Sequence, residues 1–208
     1  RLFSFKIDAV DYPNARRINT KPMPSAGGLS IVIAFSIATL VFIPMLTSTT
    51  APIKSYLSYT LPVVGAGWII ALTGLIDDIK ELSAKKKMIG ILLAASLVWF
   101  LTDFRLNDFK IPFGGPLLHF EPWLSYLLTV IWIVAITNAV NLIDGLDGLV
   151  SGVSIISLVT MGIVSYFFLP VPNLFLTMTI FVLVASIAGF FPFNYHPAIL
   201  YLGDTGAL

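Results

Sequence analysis

The sequence predicts an all-α, polytopic transmembrane helical bundle with one short extracytoplasmic β-hairpin, and three observations predict it. Of 208 residues, 57% are hydrophobic and 11% are charged, against about 25% charged in an ordinary soluble domain. Six apolar stretches recur along the chain, and no Asp, Glu, Lys or Arg falls inside any of them. One loop, Asp103–Pro122, instead shows strand-like alternation. A chain so poor in charge cannot cover a globular surface with polar groups, so lipid must do part of the solvating.

The six candidate spans are Gly27–Leu46, Leu57–Ile76, Met88–Leu101, Trp123–Thr137, Leu149–Leu169 and Leu174–Phe191. Crossing a bilayer takes about 20 residues at 1.5 Å each. The third and fourth runs fall short of that. They reach it if Lys86 and Lys87 snorkel at one end and Thr137 and Asn138 sit at the other. In the outer loop, Phe104, Leu106, Phe109 and Ile111 flank Asn107-Asp108, which reads as a tight hairpin turn without chemistry of its own. No internal repeat or low-complexity segment is visible, so residues 1–208 read as a single integral membrane catalytic domain. It begins at Arg1 without an initiator methionine and ends at Leu208 inside an apolar run. The expectation is a domain incomplete at both ends, with further spans outside it.

Charge fixes the orientation. By parity, the N-terminal segment and the loops Asp77–Lys87, Asn138–Gly148 and Pro192–Gly203 share one side. That side carries nine of the 12 Lys and Arg residues, leaving Lys54, Arg105 and Lys110 opposite. The positive-inside rule makes it cytoplasmic, so the expected localisation is a multi-pass cell-membrane protein. Asp8, Asp11, Asp77, Asp78, Glu81, Asp144, Asp147 and Asp204 fall on the same side. A net charge of +1 leaves no nucleic-acid footprint, and the absence of cysteine excludes disulfides, a thiolate nucleophile and a cysteine zinc site.

Four segments on that face carry candidate chemistry. Gly74–Lys87 (GLIDDIKELSAKKK) places two adjacent carboxylates, Asp77 and Asp78, at a helix end. Each raises the other's pKa, so the pair is held ionised by a cation or serves as a base. The following lysines can hold phosphate as point charges. Thr137–Leu149 (TNAVNLIDGLDGL) packs two amides and two carboxylates behind an apolar helix. Steps of three put Asn138, Asn141 and Asp144 on one helical face. Hard oxygen ligands of this kind suit Mg²⁺, which takes one or two carboxylates plus phosphate oxygens. Gly189–Leu208 surrounds a single acid, Asp204, with aromatic side chains. Asp204 reads as a helix cap, a metal-binding acid beside a stacked nucleotide base, or both. His196, followed by Pro197, reads as structural rather than as a ligand. Asp11–Gly28 sets Arg16, Arg17 and Lys21 before a Pro-x-Pro segment, which reads equally as a lipid-headgroup grip and as a topology signal.

Taken in order, these segments resemble the polyprenyl-phosphate N-acetylhexosamine-1-phosphate transferases over essentially the whole chain. The D-x-P-N-x-R-R…P-x-P-x-x-G-G element resembles the branch that uses UDP-N-acetylglucosamine, whose Gram-positive members start wall teichoic acid synthesis. The resemblance implies transfer of N-acetylglucosamine-1-phosphate to undecaprenyl phosphate with release of UMP. It implies Mg²⁺, with Mn²⁺ as a substitute, held by Asn141 and Asp204. Asp77 and Asp78 are implied to receive or deprotonate the lipid phosphate, Lys87 to bind pyrophosphate, and Asp144 to lie beside the diphosphate. Asp147 and Tyr201 are implied to contact the uracil, and Asn138, Asn194, Arg16 and Lys21 to complete the substrate-binding set. The implied partners are a UDP-sugar, a polyprenyl phosphate and membrane lipid, with a homodimer allowed and no nucleic acid. Asn19, Ile91 and Ile199 depart from the family's usual histidine, glutamine and basic residue. Its histidine-rich loop is expected beyond Leu208.

Three other readings stay open. One is the phospho-N-acetylmuramoyl-pentapeptide transferase branch. Another is an intramembrane aromatic prenyltransferase, whose D-x-x-x-D motifs Asp77-Asp78 and Asp144-x-x-Asp147 do not match. The third is a membrane transporter, against which the uncharged spans argue.

Overall fold

The computed structural model describes residues 2–12, 21–42, 44, 53–169 and 173–208. Arg16, Arg17 and Asn19 lie outside the described residues. A short helix α1 (Leu2–Lys6) leads into an antiparallel pairing of β1 (Val10–Asp11) with β2 (Met23–Pro24). Next come α2 (Gly27–Ile37), extended by a π-helical turn Ala38–Phe42, then α3 (Ile53–Lys80) and α4 (Ala84–Leu101). The antiparallel hairpin β3 (Asp108–Lys110) and β4 (Leu117–His119) follows. Helices α5 (Pro122–Ile143), α6 (Leu149–Phe167), α7 (Leu174–Asn194) and the single turn α8 (Asp204–Ala207) complete the fold.

The protein is an integral membrane protein with an all-α bundle, as its composition predicts. Four helices are long and apolar enough to cross a bilayer: the Leu57–Lys80 part of α3, and α5, α6 and α7. The apolar run Gly27–Val41 is shorter. Helix α4 has 18 residues, but Lys85, Lys86 and Lys87 occupy its first turn, so its uncharged portion begins only at Met88. Several helices outrun their apolar stretches. Helix α3 continues through Asp77 and Asp78 to Lys80, and α5 continues through Asn138 and Asn141 to Ile143. Polarity ends a hydrophobic run without ending a helix: Asn138 Nδ2 donates to the Val134 carbonyl (2.8 Å), within its own helix.

The β3–β4 hairpin forms where alternation predicts it, but its turn lies elsewhere. Asp108 opens the first strand, and the chain reverses at Pro112–Gly115, where Phe113 and Gly114 have φ of 60° and 86°. Gly114 takes its positive φ without steric cost, while Phe113 takes a conformation that a bulky side chain rarely adopts. Asn107 is committed instead to the hairpin's base. Its side-chain oxygen accepts from Ser125 Oγ (3.0 Å), and its carbonyl accepts the Phe120 N–H (2.8 Å).

Packing brings together the helix ends that carry the acidic segments. Ile31 of α2, Val150 of α6, Ile187 and Phe190 of α7, Leu202 and Ala207 form one buried cluster beneath α8. Helices α3 and α4 pack closely, and a Cβ on Gly90 of α4 would stand 2.2 Å from Thr73 Oγ1 of α3. Several polar groups within the spans find partners in neighbouring helices, as lipid favours. Trp68 Nε1 donates to Ser36 Oγ (2.9 Å), and Thr177 Oγ1 donates to Ser165 Oγ (3.0 Å).

Candidate active site

Helix α8 sits directly on the last turns of α3, and two glycines permit it. A Cβ on Gly74 would stand 2.2 Å from the Asp204 carbonyl oxygen and 2.5 Å from the Thr205 nitrogen. Gly203 has φ of 72°, and a Cβ there would meet the Ser25 carbonyl at 1.6 Å. Asp78 then fastens the junction. Its Oδ1 accepts the Asp204 N–H (2.8 Å), while Oδ2 accepts the Thr205 N–H (3.1 Å) and the Thr205 hydroxyl (2.5 Å). The first N–H groups of a helix have no intrahelical partner, so this carboxylate from α3 caps α8 across the fold.

Asp77 faces a different task. It is buried, its Oδ1 accepts the Leu82 N–H (2.5 Å), and its Oδ2 pairs with Lys87 Nζ (2.6 Å). Lys87 Nζ also reaches Asp204 Oδ2 at 3.2 Å, and the other oxygen of Asp204 accepts from Asn141 Nδ2. Four elements thus deliver Asp77, Lys87, Asn141 and Asp204 to one point. The lysine stands between two carboxylates that would otherwise repel. Burial pushes the Asp204 carboxyl up from its ordinary value, and the neighbouring Asp77 adds to the rise, while Asn141 and Lys87 oppose it. Asp144, just past the end of α5, has no hydrogen bond or ion pair to its carboxylate among the described residues. Burial first, then the charges of Asp204 and Asp11, raise its pKa to about 6.

Asp77, Asp78, Lys87 and Asp204 border a polar cleft of about 690 Å³, to which the N-terminal segment adds Asp8, Asp11 and Tyr12. Among the described residues, no three His, Cys, Asp or Glu side chains are grouped to hold a metal ion. A divalent cation here would therefore depend on Asp204, Asn141 and oxygens brought by a ligand. That donor set fits a hard cation: one carboxylate and one amide in direct contact, at the edge of a roomy polar cleft.

The remaining sequence-derived residues are distributed differently. Asn138 bonds within its own helix. Asn194 is buried, accepting from Ser151 Oγ (2.9 Å) and donating to the Leu200 carbonyl (3.3 Å), so its amide ties α7 to α6 and to the following loop. Asp147 Oδ2 bonds His196 Nδ1 (2.9 Å) and the Ala198 N–H (3.0 Å), bracing that same loop. Tyr201 is half-buried, and its backbone bonds Pro24 and Gly27. Lys21 is exposed just before β2, and Arg16 lies outside the described residues. Of the positions that depart from the family pattern, Ile91 is fully buried and Ile199 is 48% exposed.

Two contributors were not singled out from sequence. Thr205 was legible as a hydroxyl next to Asp204, but its partner, 127 residues away, was not. Asp11 was placed on the same side as Asp144 and Asp204 and opens the D-x-P-N-x-R-R element, but no site role was assigned to it, and it lines the cleft beside Asp204.

Comparison with known proteins agrees with this architecture. The profile of the glycosyl transferase family 4 matches residues 60–208. Over its full length the chain is 40% identical to 54% of a probable undecaprenyl-phosphate N-acetylglucosaminyl 1-phosphate transferase of Bacillus subtilis. It is 32% identical, again over its full length, to 52% of a decaprenyl-phosphate N-acetylglucosaminephosphotransferase of Mycolicibacterium smegmatis. Over 89% of its length it is 36% identical to 58% of a phospho-N-acetylmuramoyl-pentapeptide-transferase of Staphylococcus saprophyticus. The chain spans about half the length of the curated relatives it matches. With its membrane helices and the extent of the match, the chain belongs to glycosyl transferase family 4.

Proposed function

We propose that this chain is the catalytic membrane domain of an enzyme that transfers N-acetylglucosamine-1-phosphate from UDP-N-acetylglucosamine to undecaprenyl phosphate. The product would be the first lipid-linked intermediate of a cell-wall glycopolymer such as wall teichoic acid. The observation that carries this reading is the meeting of Asp77, Lys87 and Asp204 in a polar cleft at one end of an apolar bundle, with Asn141 bonded to Asp204. A lipid phosphate and a water-soluble nucleotide sugar can meet there without either leaving its own solvent. The charge bias of the loops puts this end on the cytoplasmic side.

In the proposed reaction an oxygen of the lipid phosphate attacks the β-phosphorus of the donor. The bond between that phosphorus and the bridging oxygen breaks, and UMP leaves. The acceptor is already anionic near neutral pH, so positioning and charge neutralisation supply most of the acceleration. Lys87 offers the positive charge for an incoming phosphate, and Asp77 orients that lysine and accepts a proton from a protonated acceptor. Asn141 and Asp204 would hold Mg²⁺, with Mn²⁺ as a substitute, which supplies Lewis-acid neutralisation of the diphosphate. Asp144 borders the same charge cluster. Tyr201 and Asp147 serve the uracil end, and Arg16 and Lys21 the headgroup side. Asp78 contributes by holding Asp204 in place.

The muramoyl-pentapeptide donor is a second reading, since relatives bearing that name match nearly as well. Purified full-length protein with undecaprenyl phosphate and Mg²⁺ should form lipid-linked product from radiolabelled UDP-N-acetylglucosamine, with stoichiometric UMP. Product from UDP-N-acetylmuramoyl-pentapeptide alone would move the protein to the other branch. Product from neither donor, with a folded protein, would remove the transferase reading.

A further inference from the structure

The outer hairpin exposes far more apolar surface than a loop needs. In its register Asp108 faces His119, Phe109 faces Leu118 and Lys110 faces Leu117. Directly opposed residues share a face. One face therefore carries Phe109 and Leu118, continued by Ile111 two residues on, and the other carries Asp108, Lys110, His119 and Leu117. On the polar face, His119 Nδ1 and Asp108 Oδ1 are 2.5 Å apart. On the apolar face Phe109 is 52%, Leu118 42% and Ile111 38% exposed, and Phe113 at the tip is fully exposed.

The level of this hairpin relative to the bundle can be read from its base. The Leu106 N–H donates to Thr129 Oγ1 (3.0 Å), and Asn107 accepts from Ser125. Thr129 lies seven residues into α5 from Pro122, a depth of about 10 Å at 1.5 Å per residue. The same level carries a belt of aromatic side chains: Trp99, Phe100 and Tyr126 pack with centroids 4.9–5.8 Å apart, and Arg105 lies 4.7 Å over Trp99. Such belts mark the boundary between headgroups and hydrocarbon. Exposed apolar side chains occur at Phe100 and Leu101 at the end of α4, at Leu106 before the hairpin, and again at Trp123 and Leu127 of α5.

We infer that the hairpin is an interfacial anchor, with Phe109, Ile111, Phe113 and Leu118 seated in the outer leaflet among headgroups and upper acyl chains. Lys110, on the opposite face, remains at the phosphate level or in water, where it complements anionic lipid. The occupant of this surface is lipid, because the apolar face continues the lipid-facing surface of α4 and α5 and starts below their outer ends. The anchor fixes the tilt of α4, whose first turn holds Lys87 at the opposite end of the same helix.

The test uses the full-length protein in a single-cysteine background, at one copy per lipid nanodisc. An environment-sensitive fluorophore is attached at Phe113→Cys, at Phe109→Cys, or at Lys110→Cys. The two apolar-face labels should be quenched several-fold more by nitroxide near the top of the acyl chain than by aqueous iodide, and Lys110→Cys should show the reverse. Iodide quenching of all three labels without lipid quenching would overturn the proposal, because the hairpin would then stand in water. Protection from both quenchers would also overturn it, since the face would then be covered by protein. Crosslinking between copies in liposomes would identify that cover as a second copy. These outcomes are independent of transferase activity.

Discussion

Replacing Gly74 by alanine should separate catalysis from stability. Gly74 lies in α3, where alanine is favoured over glycine by about 1 kcal/mol. The new Cβ, however, would stand 2.2 Å from the Asp204 carbonyl oxygen and 2.5 Å from the Thr205 nitrogen. Both neighbours are backbone, so no side-chain rotation relieves the contact. Ordinary contact begins near 3.4 Å, so the start of α8 must retreat by about 1 Å. Overpacking of this kind costs about 1–3 kcal/mol, partly offset by helix propensity, so the protein should still fold. Asp204 would leave its positions beside Lys87 and Asn141, and misplacement by about 1 Å in an active site can cost about 10²-fold in rate. Gly65→Ala on the same helix is the control, because its Cβ meets nothing within 4 Å. Thermal unfolding in detergent and turnover of radiolabelled donor should show both variants folded and only Gly74→Ala slow. Wild-type turnover by Gly74→Ala would refute the idea that this close approach positions Asp204.

Three further expectations follow from the same geometry. Single cysteines at Ser83 and Gly148 should be labelled only from the cytoplasmic side and one at Asn107 only from outside; labelling Ser83 and Gly148 from opposite sides would break the shared face. Tyr201→Ala should raise the apparent KM for the UDP-sugar with little change in lipid use, since base stacking contributes roughly 1–3 kcal/mol; the reverse pattern would put the ring on the acceptor side. Asp144 has a folded pKa of about 6 against 3.8 for the unfolded group, so its protonated form favours the fold, fully below about pH 4. That contribution is lost as pH rises from about 4 to 6. Relative to Asp144→Asn, the wild type should thus lose up to about 3 kcal/mol across this window in chelator. A pH-independent difference in unfolding midpoint would contradict the burial of Asp144.

The bundle was legible because lipid imposes long uncharged runs, and parity then sorted every loop charge by side. Helix ends were less legible. Asn141 and Asp78 are polar, so a hydropathy reading stops before them, yet both remain helical because their backbone bonds do not depend on side-chain polarity. The hairpin turn was misassigned to Asn107-Asp108 because local turn preference was weighed without the Ser125 partner that holds Asn107 in the base. In the site, Asp204 meets Asn141 and Lys87, residues from three separate motifs. The division of labour between Asp77 and Asp78 was not legible, because adjacent carboxylates look alike in sequence. Only the arrival of α8 on α3 commits Asp78 to the Asp204 and Thr205 amides. Asn194 shows the opposite limit: an amide in a functional-looking segment whose hydrogen bonds are both within the fold.

The most direct test of the proposed chemistry is the turnover of Asp204→Asn in full-length protein, measured as lipid-linked N-acetylglucosamine formed across a Mg²⁺ titration. The substitution keeps the size of the side chain and its acceptor oxygen for Asn141, and it leaves the amide N–H that Asp78 binds. It removes one negative charge, on which a cation held by a single carboxylate and one amide depends. Losing such charge stabilisation typically costs roughly 3 kcal/mol or more, about 10²–10³-fold in rate. The expected result is a normally extracted, thermally stable protein with turnover reduced by at least that factor and a Mg²⁺ dependence shifted to higher concentration. Near wild-type turnover at ordinary Mg²⁺ by a well-folded Asp204→Asn protein would contradict the assignment and leave Asp204 as part of the α3–α8 junction alone.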